Sequence, residues 1–361
     1  MRRAGGLLLA LAALGLAGCG ENSARRDGVP RDFFGIVADD VFARNTDYRL
    51  EMLARQRAAG IGLIRQTFDW SLIEVAPGRY DWDAYDGFVA TAARAGMDIL
   101  PVIFQPPEFH SSRPAHGAER GTYPPEDPAV MGRFARELVE RYGPNGTLWE
   151  ERDDVPRTPI REWQVWNEPN FHRFWPSGPD AAEYSRLLRV TSRAIKEADP
   201  EARVVSAGLP HSKRAIPPRD FVIAMHQAGA TESYDSLAVH VYAPTAAESM
   251  ALVHEARRLL DDIGSEASIW ATELGWATQG PESPFTLGPE GQAEQIRDFL
   301  TRATDAGEEV GLRGIVYYKW RDTGRYPGGP ELFGLHSGLL RRDGTAKPAY
   351  AAFADVAQPD K

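Results

Sequence analysis

The sequence predicts an α/β protein built as a single (β/α)8 barrel. Short apolar segments rich in Val, Ile and aromatic residues alternate with longer amphipathic ones from residue 33 onward, the pattern of parallel strands joined by helical crossovers. Eight such pairs fit into about 320 residues, the usual scale of a closed barrel with modest insertions. The open doubly wound sheet requires a Gly-rich phosphate turn after its first strand. Gly35-Ile36-Val37-Ala38-Asp39-Asp40 stands there instead.

In order, the first strand is predicted over 33–38 and its helix over 48–59, stopped by Gly60. The second strand covers 63–70 and its helix 82–95, closed by Gly96. The third strand, 97–104, leads into a long proline-rich loop to 127 and a helix over 129–142. The fourth spans 160–168, with a helix over 181–198 ended by Asp199-Pro200. The remaining strands are placed at 202–207, 237–242, 268–273 and 313–320, with helices at 219–228, 246–263, 292–306 and 348–356. Internal repeats and low-complexity tracts are absent from the sequence, so residues 32–361 read as one domain.

The N-terminal residues carry an address. Arg2 and Arg3 precede the apolar run 7–16, and the small residues Ala17 and Gly18 follow it, the layout of a secretory signal over 1–18 too short to span a bilayer. The sole cysteine of the 361 residues, Cys19, comes next. Leu16-Ala17-Gly18-Cys19 resembles the lipobox of bacterial lipoproteins, which implies lipidation of Cys19 and anchoring to the cell envelope, outside the cytoplasm. Gly20 lacks the aspartate that commonly retains such proteins at the inner membrane, and residues 20–31 read as a polar tether. One cysteine excludes an internal disulfide, so the fold must rest on its core. The net charge of −10 and the lack of a basic block in the mature region argue against nucleic-acid binding.

Chemistry concentrates at two predicted strand ends. Trp163-Gln164-Val165-Trp166-Asn167-Glu168-Pro169-Asn170 is an apolar run ending abruptly in polar groups. Pro169 cannot join a sheet ladder and pushes its predecessor toward extended geometry, which places Glu168 as an extended residue at the carboxyl end of the fourth strand. That end of a barrel carries the active site. The seventh strand ends in Thr272-Glu273-Leu274-Gly275-Trp276, so two carboxylates flank one mouth. Glycoside hydrolysis needs such a pair, with one group held as an acid and its partner ionised.

These two motifs resemble the clan A glycoside hydrolases, with families 39 and 5 closest in flavour. The segments Phe68-Asp69-Trp70 and Pro77-Gly78-Arg79-Tyr80-Asp81-Trp82 also resemble that clan's second strand and loop. The resemblance covers essentially the whole mature chain. It implies a retaining (β/α)8 enzyme with Glu168 as acid/base and Glu273 as nucleophile. Asn167 would bond the sugar 2-hydroxyl, and Tyr242 and His240 on the sixth strand would support the pair. Arg65 would lie beneath the nucleophile, and Trp320 would form the floor on which the sugar stacks. Trp175, Trp276, Trp70, Phe171 and Phe174 are further candidate sugar platforms, because aromatic faces suit the C–H faces of pyranose rings. His110, after the third strand, is the weakest candidate contact.

No H-E-x-x-H, phosphate loop or G-x-S-x-G elbow occurs, and the eight histidines show no ligand spacing, so neither a catalytic metal nor a cofactor is expected. The expected protein is a monomeric, lipid-anchored hydrolase of a β-linked glycan. Endo action is expected because the chain ends soon after its last helix, without the β-sandwich that many family 39 xylosidases carry. The rival is a glycan-binding lipoprotein that kept the barrel and lost catalysis.

Overall fold

The computed structural model describes residues 29–114, 121–325 and 329–358. The predicted signal segment, Cys19 and most of the tether therefore lie outside the described residues. The last tether residues do not behave as a tether. Val29 packs against the core, and Arg31 is hydrogen-bonded to the Gly96 carbonyl and paired with Asp98.

Eight parallel strands close into a barrel: β1 (Phe34–Val37), β2 (Leu63–Asp69), β3 (Asp98–Phe104), β4 (Glu162–Val165), β5 (Arg203–Val205), β6 (Ser236–His240), β7 (Ser268–Leu274) and β8 (Leu312–Tyr317). They pair in sequence order, and the β8–β1 pairing, with Gly35 opposite Val316, closes the ring. Eight helices surround it: α1 (Thr46–Ala58), α2 (Asp83–Arg94), α3 (Pro128–Tyr142), α4 (Ala181–Ala198), α5 (Pro218–Gln227), α6 (Ala246–Asp262), α7 (Gly288–Ala306) and α8 (Pro348–Ala357).

Local signals fix several helix starts. Asp180 accepts hydrogen bonds from the amides of Ala182 and Glu183 at the start of α4. Thr245 and Glu248 form a reciprocal capping box at α6. Each such cap contributes about 1 kcal/mol. Helix α7 begins four residues earlier than predicted, at Gly288, with Pro289 in its first turn, where its missing N–H costs nothing.

The barrel interior holds Val37, Leu63, Leu100, Val205, Ala238, Trp270 and Val316, buried together and separate from the larger core between sheet and helices. At the amino end, Trp270 donates its indole N–H to Glu162 at 2.8 Å, and Arg313 stacks over the same indole while pairing with Glu162. This end is a charged plug. Polar groups at the other end are left to face the mouth.

Candidate active site

Two irregularities aim the carboxylates. Strand β4 stops at Val165, and both Trp166 and Glu168 have positive φ, 73° and 49°. Glu168 is therefore not extended, as Pro169 had suggested. The chain turns sharply so that Asn167 and Glu168 both reach the mouth. A non-glycine residue in this region costs of the order of 1–3 kcal/mol and persists only where its surroundings dictate it. Here the Trp166 amide donates to Ile103 O at 3.0 Å, its indole to Phe174 O at 3.0 Å, and the Glu168 amide to Gly208 O at 3.1 Å. On β7, Ala271 lies opposite Val239 but Glu273 lies opposite His240, so Thr272 is an extra residue. Such a bulge re-aims the side chain that follows it.

Arg65 ties the ends together. Its three nitrogens donate to Gln164 Oε1 at 2.7 Å, Glu273 Oε1 at 2.7 Å and Asn167 Oδ1 at 2.8 Å. Tyr242 donates its hydroxyl to the other Glu273 oxygen at 3.0 Å. The fully buried His240 bridges the pair, with Nδ1 at 2.7 Å from Glu168 Oε1 and Nε2 at 3.6 Å from Glu273 Oε1. An oxygen of Glu168, a ring nitrogen of His240 and an oxygen of Glu273 all lie within 4.8 Å of one another. These three donors could in geometry gather on a cation, but the Arg65 guanidinium beside them opposes one.

Burial pushes the Glu273 carboxyl up, yet the charges of His240 and Arg65 and the hydrogen bonds from Arg65 and Tyr242 outweigh it, holding the group below the ordinary carboxyl range. Burial and the neighbouring Glu273 charge push the Tyr242 hydroxyl well up, so it stays a donor. With its carbonyl oxygen engaged by Arg65, Asn167 keeps its NH2 for a ligand. One carboxylate is thus fixed in its ionised form while the other shares a short contact with an imidazole.

Gly208 makes room for this bridge. A Cβ at that position would lie 2.0 Å from His240 Nε2 and 2.8 Å from Thr272 Oγ1. Gly208→Ala should therefore displace His240 and lower kcat/KM by roughly 100-fold, the scale of a 1 Å misplacement of a catalytic group. Kinetics alongside thermal melting checks this; unchanged kcat/KM would mean that His240 does not set the geometry.

The tryptophans require correction. Trp320, Trp175 and Trp276 are 0%, 1% and 1% exposed, so none offers a ring face to a sugar. Trp320 packs against Tyr350, Trp175 donates to Glu183, and Trp276 donates to the Ala243 carbonyl. Trp70 is likewise buried, stacked on Phe134. His110 contacts Glu74 at 3.2 Å and packs near Trp70 and Phe109, within the loops after β2 and β3. Those partners set it apart from the Glu168–Glu273 pair. Phe171 and Phe174 are half-buried and lie edge to face.

Aromatic rings do border the pair, but they are different ones. Tyr318, two residues before Trp320, has its ring 6.4 Å from that of Tyr242. Phe333 lies 5.8 Å from Tyr242 and stacks on Phe285 at 4.7 Å. All three are half-buried. Tyr318 was discernible as a strand-end aromatic, whereas Phe333 and Phe285 sit in loops with no local signal. Gln164 was also missed, because an interior polar residue on an apolar strand reveals its partner only in the closed barrel.

The closed parallel barrel carries paired carboxylates at the carboxyl ends of β4 and β7. The family model described as glycosyl hydrolases family 39 matches residues 130–268, which include Glu168. The match covers less than half of the chain and, taken with the barrel, supports a clan A glycoside hydrolase. A 78-residue stretch is 45% identical to a beta-xylosidase from Geobacillus stearothermophilus, covering 21% of this chain and 12% of that protein. Among solved structures, a family 39 glycoside hydrolase from Bacteroides cellulosilyticus WH2 aligns with a TM-score of 0.64 at 21% identity, over 91% of this chain and 64% of that one. A monomeric beta-xylosidase from Caulobacter crescentus CB15 aligns with a TM-score of 0.65 at 20% identity, over 90% and 68% of the two chains. The chain thus spans about an eighth of the curated relative and under two thirds of the first of these structures.

Proposed function

We propose that this protein is a retaining hydrolase of a β-linked glycan, working by double displacement. The observation that carries the reading is the approach of Glu168 and Glu273 oxygens to within 4.8 Å of each other. Retaining pairs stand about 5–5.5 Å apart, whereas inverting pairs need about 6.5–9.5 Å to seat a water. Glu273, held ionised by Arg65, His240 and Tyr242, attacks the anomeric carbon while Glu168 protonates the leaving oxygen. Glu168 then takes a proton from water as that water attacks the glycosyl-enzyme. Asn167 donates to the sugar 2-hydroxyl, a bond that strengthens as charge develops on the ring. Tyr318 and Phe333 supply the apolar wall.

In this proposal the enzyme acts within the glycan chain. A cavity of about 370 Å³ lined by Ser71, Gln105 and Tyr123 follows β2 and β3, and one of about 570 Å³ lined by Thr278, Thr323 and Arg342 follows β7 and β8. Both lie among loops that follow barrel strands, and such space on two sides of the barrel's carboxyl end suits a chain that continues past the cleaved bond. Turnover of a panel of β-glycans and aryl β-glycosides tests the reading. Release of mixed oligosaccharides supports it, release of monosaccharide alone contradicts the endo step, and binding without release favours a silent glycan-binding protein.

Attachment to the envelope through a lipid on Cys19 belongs to the same proposal. Among the described residues, no helix is long and apolar enough to cross a membrane. A protein expressed in a bacterial host with radiolabelled palmitate should take up label, and Cys19→Ala should take up none; equal labelling of both would end the lipidation proposal.

A further inference from the structure

Strand β1 delivers a carboxylate to the mouth that the mechanism above does not use. Val37 belongs to the barrel interior and pairs in register with Arg65. Asp39 follows two residues later, at the rim above that arginine. Strand β8 runs alongside, with Ile36 opposite Tyr317 and the Trp320 amide donating to Val37 O at 2.9 Å, so Lys319 arrives beside Ala38 and Asp39.

The neighbouring residues find partners. Asp40 accepts from Tyr48 at 3.0 Å and pairs with Arg321 at 3.0 Å. Lys319 is 6% exposed, and its ammonium donates to Thr323 Oγ1 at 2.7 Å and lies over the Tyr318 ring. Asp39 makes no hydrogen bond or ion pair among the described residues, although its side chain is open to solvent. It stands exposed at a crowded rim. Crowding by protein pushes its carboxyl up; the Glu273 charge adds to this, while the Lys319 and Arg65 charges oppose it. Asp39 thus lies within electrostatic reach of Lys319, Glu273 and Arg65.

We infer that Asp39, with Lys319 beside it, reads hydroxyls of the sugar whose anomeric carbon meets Glu273, and so selects a sugar with free neighbouring hydroxyls. This rests on the proposed hydrolysis. A carboxylate accepts from a hydroxyl, and an ammonium with N–H groups to spare donates to the hydroxyl next to it. Charged hydrogen bonds of this kind are stronger than neutral ones. Asp39 is a specificity-determining contact in this scheme, and Glu168 and Glu273 keep the chemistry.

The test compares the full-length wild type with Asp39→Asn and Asp39→Ala on an aryl β-glycoside that turns over and on its 3-deoxy and 4-deoxy analogues. Circular dichroism and melting temperature confirm that the variants fold. The variants should lose roughly 10- to 100-fold in kcat/KM on the parent sugar, mostly in kcat. One deoxy analogue should show the same loss with the wild type and no further loss with the variants. Equal activity of wild type and variants on the parent sugar would overturn the inference, as would an undiminished variant defect on both deoxy analogues. Wild-type inactivity on every glycoside would instead overturn the hydrolase reading, and this inference with it.

Discussion

Glu273→Ala should abolish turnover, lowering kcat roughly 10⁴- to 10⁶-fold, the scale seen when a covalent nucleophile is removed. The physical ground is that, among the described residues of the site, Glu273 alone is held ionised by an arginine, a histidine and a tyrosine together. Glu168→Ala should behave differently. Proton transfer to a leaving group contributes roughly 10²- to 10⁴-fold, so glycosides with poor leaving groups should lose that factor. A dinitrophenyl glycoside, whose departure needs no proton, should still form the glycosyl-enzyme quickly and then stall. Added azide, which attacks without base assistance, should relieve the stall. A Glu168→Ala variant that lost all leaving groups equally would contradict the acid/base role.

Arg65→Met should carry the second-largest effect, because one side chain serves three elements. Its guanidinium is nearly buried, at 6% exposure, and holds β2 to Gln164 and Asn167 of the β4 end and to Glu273 on β7. Removing it leaves the Glu273 carboxylate in a crowded site without its salt bridge, and breaking such a pair costs about 3–5 kcal/mol. The pH behaviour should move with it. In the wild type the depressed Glu273 group stabilises the fold fully above the ordinary glutamate value of 4.5, and this contribution is lost as pH falls through the lower folded value. The acid limb of kcat/KM should therefore lie below pH 4.5 in the wild type and shift upward in Arg65→Met. Pre-steady-state and steady-state pH profiles measure this directly; an unmoved limb would show that Arg65 does not hold Glu273 ionised.

The barrel was legible because its signals are local. Alternating apolar runs, the Asp180 cap and the Thr245–Glu248 box each act within a few residues, and they agree with one another along the chain. That Glu168 and Glu273 meet at one end of the barrel was legible because polar residues ending an apolar strand need a reason to be there. Their aim was not. The turn at Trp166 to Glu168 depends on the amides' finding Ile103 and Gly208, and the Thr272 bulge depends on the neighbouring strand. A one-residue slip sends a side chain to the opposite face of a strand. Where a chain turns off its strand is equally hidden from the sequence, and so Tyr318 rather than Trp320 comes to border Tyr242. The buried tryptophans illustrate a second ambiguity: the area that lets an indole stack on sugar equally favours burial in a core. Asp39 carried no distinguishing signal, since only the closing of β1 against β8 brings it beside Lys319.

As nucleophile, Glu273 forms a covalent bond to the sugar. Incubation with a 2-fluoro glycoside bearing a good leaving group, followed by peptide mass spectrometry, tests it most directly. The fluorine slows both steps and the good leaving group rescues only the first, so the intermediate should accumulate. One sugar per protein, on the peptide that carries Glu273, is the predicted result. Turnover of the parent glycoside with inverted anomeric configuration and no labelled peptide would contradict it.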